Sequence, residues 1–250
     1  MALHSYVKKR YSLRRQIVHV FSYLSLVAGA VMLFWSFYPI ISFEVYSRLF
    51  IEQDIASPIP RSTLATNVKE ASSILGSDIV YSNNLRDFAQ AHLWFPTSSQ
   101  TVQASKVTLK DFYITIPKIN ISRAHVVVGG ENLTKSLVHY MPASLPGEYG
   151  NVAIFGHSTL PQLYNVNDYK TIFTYLPSME KGDKIIVKVG SDEYEYEVFE
   201  MFVVKPEQVS VLEQKYDAAY LTLVTCVPPG TYWNRLVVRA KMNRLPQNLY

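Results

Sequence analysis

"LTLVTCVPPGTYWNRLVVRA", residues 221–240, holds the one cysteine of this 250-residue chain, Cys226. Period-two alternation puts Tyr220, Thr222, Val224 and Cys226 on one face of a strand and Leu221, Leu223 and Thr225 on the other. Proline cannot continue a central ladder, so Pro228 and Pro229 end the strand within a residue or two of the thiol. That predicts a cysteine at a sheet rim, open to a substrate. A second strand follows a short loop, alternating Arg235, Val237 and Arg239 against Asn234, Leu236 and Val238. Antiparallel pairing brings Arg235 beside Cys226. It leaves Arg239 four residues away, roughly 13 Å along a strand at about 3.3 Å per residue.

Working upstream, the same texture runs from Asp111 to Met242. Short β-branched and aromatic runs, "FYITIP" (112–117), "AHVVVGG" (124–130), "NVAIFGH" (151–157), "DKIIVKVG" (183–190) and "EYEYEVFEMFVV" (193–204), are bounded by Gly, Pro, Asn or Asp. "VGSDE" reads as a hairpin turn, and "ENLTKSLVHY" and "SVLEQKY" as short helices between strands. So many short strands in about 130 residues mean one all-β unit, a closed barrel or a sandwich. "NVAIFGH" ends in Gly156-His157, which puts a histidine at a strand terminus.

The other end of the chain is different. Residues 16–43, "QIVHVFSYLSLVAGAVMLFWSFYPIISF", carry no formal charge and exceed the roughly 20 residues that cross a bilayer core. Trp35, Tyr38 and Tyr46 suit an interfacial aromatic belt. The run is longer than a signal peptide's apolar region and no small-residue cleavage pattern follows it. It is read as an uncleaved anchor. Lys8, Lys9, Arg10, Arg14 and Arg15 make residues 1–15 a basic tail. The positive-inside rule places that tail in the cytoplasm and residues after about 44 outside. These five cations exceed the net charge of +4, so the rest of the chain is one unit negative. Nucleic acid is thereby excluded as a partner, because a nucleic-acid binder keeps its excess charge on the folded domain.

Residues 44–110 read as a partly helical juxtamembrane linker, with "SPIPRSTLATN" a turn-rich spacer and "HLWFP" (92–96) a packed surface patch in preference to a hydrophobic plug. Residues 111–250 form the folded domain. No apolar segment follows Met242, and no second anchor is expected.

A lone thiol outside the cytoplasm cannot form an internal disulfide; it is a buried bystander, an intermolecular link or a nucleophile. Taken singly, each group has an ordinary structural explanation: cysteine as a small hydrophobe, His157 as a packed imidazole, Arg235 as a surface cation. Taken together they make an acyl-transfer site. A thiolate attacks a carbonyl to form a thioester. An imidazolium lowers the thiol pKa and protonates the leaving amine. A guanidinium stabilises the oxyanion.

"TLVTC" followed nine residues on by Arg235, with "GNVAIFGH", "ITIPKINI" (114–121) and "HYMPASLPGEYGN" (139–151) upstream, resembles the sortase family of bacterial cell-surface cysteine transpeptidases. The resemblance implies a closed eight-stranded β-barrel over about residues 112–242. It implies Cys226 as nucleophile, His157 as general acid/base and Arg235 as the oxyanion or substrate-positioning group. It also implies cleavage of an LPxTG-like sorting signal on substrate proteins. The acyl group passes to an amine on a peptidoglycan precursor or pilin lysine. No cofactor and no metal are expected, and His92, His125 and His139 are read as structural. The absence of an Asp-Pro pair in residues 44–110 and of a C-terminal span favours an anchoring enzyme over a pilin polymerase. A hydrolytic cysteine peptidase and an inactive binding module remain the alternatives.

Overall fold

A computed structural model of the chain describes residues 13–51, 89–95 and 109–243. The basic tail up to position 12, the spacer and most of the juxtamembrane stretch lie outside the described residues. The chain divides into two compact units between Ser42 and Phe43.

The first described element is helix α1, Leu13–Phe50, with Pro39 inside it. It contains a stretch, Arg14–Ser47, long and apolar enough to cross a membrane. The helix runs seven residues past the expected end of the anchor at Phe43, since nothing in "EVYSRLF" breaks it.

The second unit contains eight strands: β1 Asp111–Ile116, β2 Ile121–Val128, β3 Leu137–His139, β4 Gly150–Phe155, β5 Lys184–Val189, β6 Asp192–Val204, β7 Ala219–Val227 and β8 Asn234–Met242. They close into a barrel in the order β1-β2-β3-β4-β7-β8-β6-β5, sealed by antiparallel pairing of β1 with β5. Closure leaves no open edge. The Gly190-Ser191 hairpin joins β5 to β6 as expected, with Val189 opposite Asp192. Two sequence readings need correction. "ENLTKSLVHY" forms turns and then strand β3, because Leu137–His139 finds a parallel partner in β2 and an antiparallel one in β4. "SVLEQKY" supplies only a short 3-10 turn, Val209–Leu212.

Alternation along each strand separates two apolar clusters. Leu221, Leu223, Ile154, Val152, Leu236 and Val238 point into the barrel. Val224 and Cys226, with Ala153, Phe155, Val138 and Val237, point outward beneath Ala91, Trp94 and Phe95. Neighbouring β4 and β7 run parallel. They are buried along almost their whole length, as strands covered on both faces must be. The cover has a polar clasp. Asn151 on β4 accepts from the Thr222 hydroxyl at 2.7 Å, and its amide donates to the Val211 and Glu213 carbonyls.

Candidate active site

The site is built on three strand ends at one rim of the barrel. Cys226 and Arg235 are direct register partners across β7 and β8, whereas Arg239 faces Thr222. The arginine next to the thiol is therefore Arg235. Arg239 is engaged elsewhere, 3.2 Å from Glu200 and over the Phe202 ring.

His157 arrives by a tighter route. The Gly156 N–H donates to the Val224 carbonyl, and the Thr225 hydroxyl donates to the Gly156 carbonyl at 2.7 Å. One residue later, the Ser158 hydroxyl donates to the Cys226 carbonyl at 2.6 Å. Bonds on both sides of His157 thus tie it abreast of Cys226. Only glycine fits at position 156, since a Cβ there would lie 2.5 Å from both Leu137 and Phe173 side-chain carbons. The Gly-His pair is steric: the backbone must pass close to the interior before the imidazole turns out.

Arg235 is buried without a carboxylate partner among the described residues. Its Nη1 donates to the Tyr232 and Asn234 carbonyls and its Nη2 to the Trp94 carbonyl at 3.1 Å. Its Nε has no hydrogen-bond partner among the described residues. A buried donor of that kind costs about 1–3 kcal/mol while unmatched. It is available to an oxygen that comes within reach.

The thiol is at the rim, as its place before Pro228 requires, but it is not open. Cys226 is 4% exposed. The "HLWFP" stretch, expected as a surface patch, instead buries Trp94 and Phe95 completely. The Trp94 ring stacks on Phe155 at 5.4 Å, lies 5.6 Å from the His157 ring and 5.4 Å from the Arg235 guanidinium carbon. Phe155 in turn stacks on Tyr140 at 4.8 Å. The physical reason is the aromatic floor: Trp94 buries more apolar area there than on any exposed face.

Burial sets the protonation states. It pushes the Cys226 thiol up, against the opposing pull of Arg235. It drives His157 down to about 4, with Asp168 raising and Lys170 lowering it. In this covered state a neutral thiol and neutral imidazole are favoured over the thiolate–imidazolium pair, because desolvation penalises both charges. Water or substrate reaching the rim would relieve that penalty.

Residues 114–243 match the Sortase domain family model. The chain belongs to the sortase family. It is 28% identical to sortase D of Bacillus subtilis (strain 168) over 131 residues, covering 52% of this chain and 57% of that protein. It is 34% identical to sortase A of Bacillus anthracis over 89 residues, 36% of this chain and 39% of that one. The chain therefore spans a little over half the length of the first of these sortases and well under half of the second. Among solved structures, a Clostridium perfringens sortase D5 transpeptidase aligns with a TM-score of 0.46 at 29% identity, covering 53% of this chain and 78% of that one.

Sequence reasoning ranked a plug at residues 92–96 of this sortase below a surface patch, and it missed the Phe155–Tyr140 platform on which Trp94 packs. The available signal was a dense apolar cluster, "HLWFP", inside an otherwise polar stretch. His139, read as structural, is fully buried inside the barrel with neither ring nitrogen partnered among the described residues.

Proposed function

We propose that this sortase is a cysteine transpeptidase in which Cys226 is the nucleophile, His157 the general acid/base and Arg235 the oxyanion donor. The observation that carries the reading is the convergence of the three on one rim, with Arg235 in register with Cys226 and His157 held abreast of it.

Once the rim is uncovered, His157 takes the thiol proton and the Cys226 sulfur attacks the threonine carbonyl carbon of an LPxTG-like signal. The carbon–nitrogen bond breaks, and the proton on His157 leaves with the departing amine. The thioester remains on Cys226. An acceptor amine, from a peptidoglycan precursor or a pilin lysine, attacks the same carbon and the carbon–sulfur bond breaks. The amine's proton passes by way of His157 back to the sulfur. Arg235 Nε, unmatched at rest, donates to the oxyanion in both tetrahedral intermediates; one such donor is worth on the order of 3 kcal/mol. Helix α1 anchors the enzyme with its basic N-terminus in the cytoplasm and the barrel outside, where sorting signals and acceptors meet.

The test is trapping. The full chain, incubated with an LPxTG peptide, should gain a thioester mass on Cys226, absent in Cys226→Ala, and should release an amide product when an amine is supplied. No adduct would overturn the reading. Hydrolysed product alone at high amine would make the enzyme a peptidase. One observation favours a second reading, an inactive binding module: the thiol is nearly sealed and its pKa raised. That reading requires Cys226 to resist iodoacetamide in the folded protein even while sorting peptide is bound.

A further inference from the structure

Behind the three candidate catalytic groups, the same outer face of the barrel carries a second row of side chains. Phe155 ends β4 two positions before His157, and its register partner on β7 is Val224, two positions before Cys226. Val224 faces Val237 on β8, two positions after Arg235, and Val237 faces Phe202 on β6. Val138 on β3 completes the row as the other partner of Phe155. Residues two apart on a strand share a face, so the row lies one pleat, about 7 Å, from the reacting groups. All five side chains are buried, in one apolar cluster with Cys226.

Three of the five are valines, and an all-aliphatic row would cradle a branched side chain. Phe155 changes that. Its ring stacks on Tyr140 at 4.8 Å with 20° between the planes, which makes a flat aromatic floor next to the thiol's strand.

The 89–95 segment, a strap across this row, is a peptide already seated on the floor. Trp94 lays its indole on Phe155, 5.4 Å between centroids and 12° between planes, and the Phe95 ring leans on the same phenyl at 5.7 Å. The carbonyl of the same Trp94 accepts from Arg235 Nη2 at 3.1 Å, and its indole lies 5.4 Å from the guanidinium carbon. One peptide residue thus meets three partners: an aromatic floor, a guanidinium donor and a guanidinium face. A leucine there would keep the backbone bond and lose both ring contacts.

The acyl half of a sorting signal needs a hold of this kind. It stays on Cys226 as a thioester after the first amine has left and while the acceptor enters. The walled subsite therefore serves the chain upstream of the cleaved bond, and the downstream side is left open for exchange. Arg235 Nη2 can keep an upstream carbonyl while Nε turns to the oxyanion.

We propose that the row around Phe155 is a specificity subsite for an aromatic residue upstream of the cleaved bond. The sorting signal of this enzyme then carries Trp, Phe or Tyr at one of the three positions where an LPxTG peptide has leucine, proline or its variable residue. The role of the subsite rests on the transpeptidase reading; its preference for a ring rests on the floor alone.

The experiment follows thioester formation on Cys226 of the full chain in detergent by mass spectrometry. It compares an LPxTG peptide with three versions that carry tryptophan in place of the leucine, the proline or the variable residue. One of the three should acylate the enzyme at least about 10-fold faster than the parent, from stacking and the guanidinium contact together. Phe155→Leu keeps an apolar side chain without the ring and should erase that ratio, with a cooperative thermal transition reporting that the barrel still folds. A parent peptide as fast as every tryptophan version on the unmodified enzyme overturns the proposal, whatever the variant does. A ratio that survives in folded Phe155→Leu overturns it too. If no peptide forms a thioester, the transpeptidase reading has failed, and the subsite is judged by calorimetric titration of the same four peptides. Saturable binding of a tryptophan version about 10-fold tighter than the parent sustains an aromatic subsite; equal binding, or none, overturns it.

Discussion

Arg235 and Arg239 leave the same face of one strand and meet different fates, so they make a controlled pair. Arg235→Ala should lower turnover by about 100-fold or more, the loss expected for an oxyanion donor. Arg239→Ala should keep most of it, since the contacts it breaks, with Glu200, the Phe202 ring and the Val211 carbonyl, all lie away from the thiol. Steady-state kinetics on both variants checks this, and the reverse pattern would reassign the arginine. Gly156→Ala should cost about 1–3 kcal/mol of stability by overpacking against Leu137 and Phe173, and most of the activity, because relief of the clash moves His157. His139 makes a prediction about pH. Burial holds it neutral down to about 4, against an ordinary 6.5. Above pH 6.5 the folded and unfolded states carry the same proton count at this site. Between about 6.5 and 4 the unfolded chain takes up a proton that the folded one refuses, so stability falls as pH falls. The loss from this residue approaches about 3 kcal/mol near the lower limit. Urea unfolding of His139→Leu should show a smaller drop between pH 7 and pH 4.5 than the unmodified protein.

At the scale of elements, the segment at 89–95 decides whether the site is open. It is held by an isolated bridge between Gln90 and Asn132, by the Ala91 N–H to the Glu131 carbonyl, by the Leu133 N–H to the Ala89 carbonyl, and by an exposed His92–Glu131 pair at 2.9 Å. Arg235 Nη2 adds a bond to the Trp94 carbonyl at 3.1 Å. The strap's hold comes mainly from Trp94 and Phe95 on the outer cluster, while the barrel interior is a separate cluster that contains neither. Trp94→Ala should therefore loosen the strap and leave the barrel folded. The expected result is iodoacetamide labelling of Cys226 accelerated by at least about 10-fold, with a cooperative thermal transition retained; the free energy at stake is the roughly 3–5 kcal/mol of a buried tryptophan. Unchanged labelling would mean that something other than Trp94 shields the sulfur.

For the whole molecule, the boundary between the two compact units falls within α1, after Ser42, and among the described residues α1 is the helix long and apolar enough to cross a membrane. The full chain should stay with membranes through alkaline carbonate washing, and a chain beginning at Phe43 should be released by it. Most of the fold was legible beforehand because β-strands announce themselves locally. Alternation in "AYLTLVTC" and "LVVRA", Pro-Pro after Cys226 and Gly before His157 each constrain only their own few residues, and those constraints agree with a closed barrel. The pairing of Arg235 with Cys226 followed from one short loop, and the apolar run of α1 from its length. The strand at Leu137–His139 was not legible, since three residues have no periodicity of their own and become β-structure only when β2 and β4 supply hydrogen-bond partners on either side. Nor was the cover over the thiol: Trp94 lies 132 positions before Cys226, and whether an aromatic faces solvent or packs on Phe155 depends on a surface that exists only after the barrel closes. The chain's own order of residues determined seven of the eight strands and which three groups share a rim. Only the tertiary structure decided that the rim is covered and its thiol held neutral, because desolvation is a property of what surrounds a group in space, not of its neighbours along the chain.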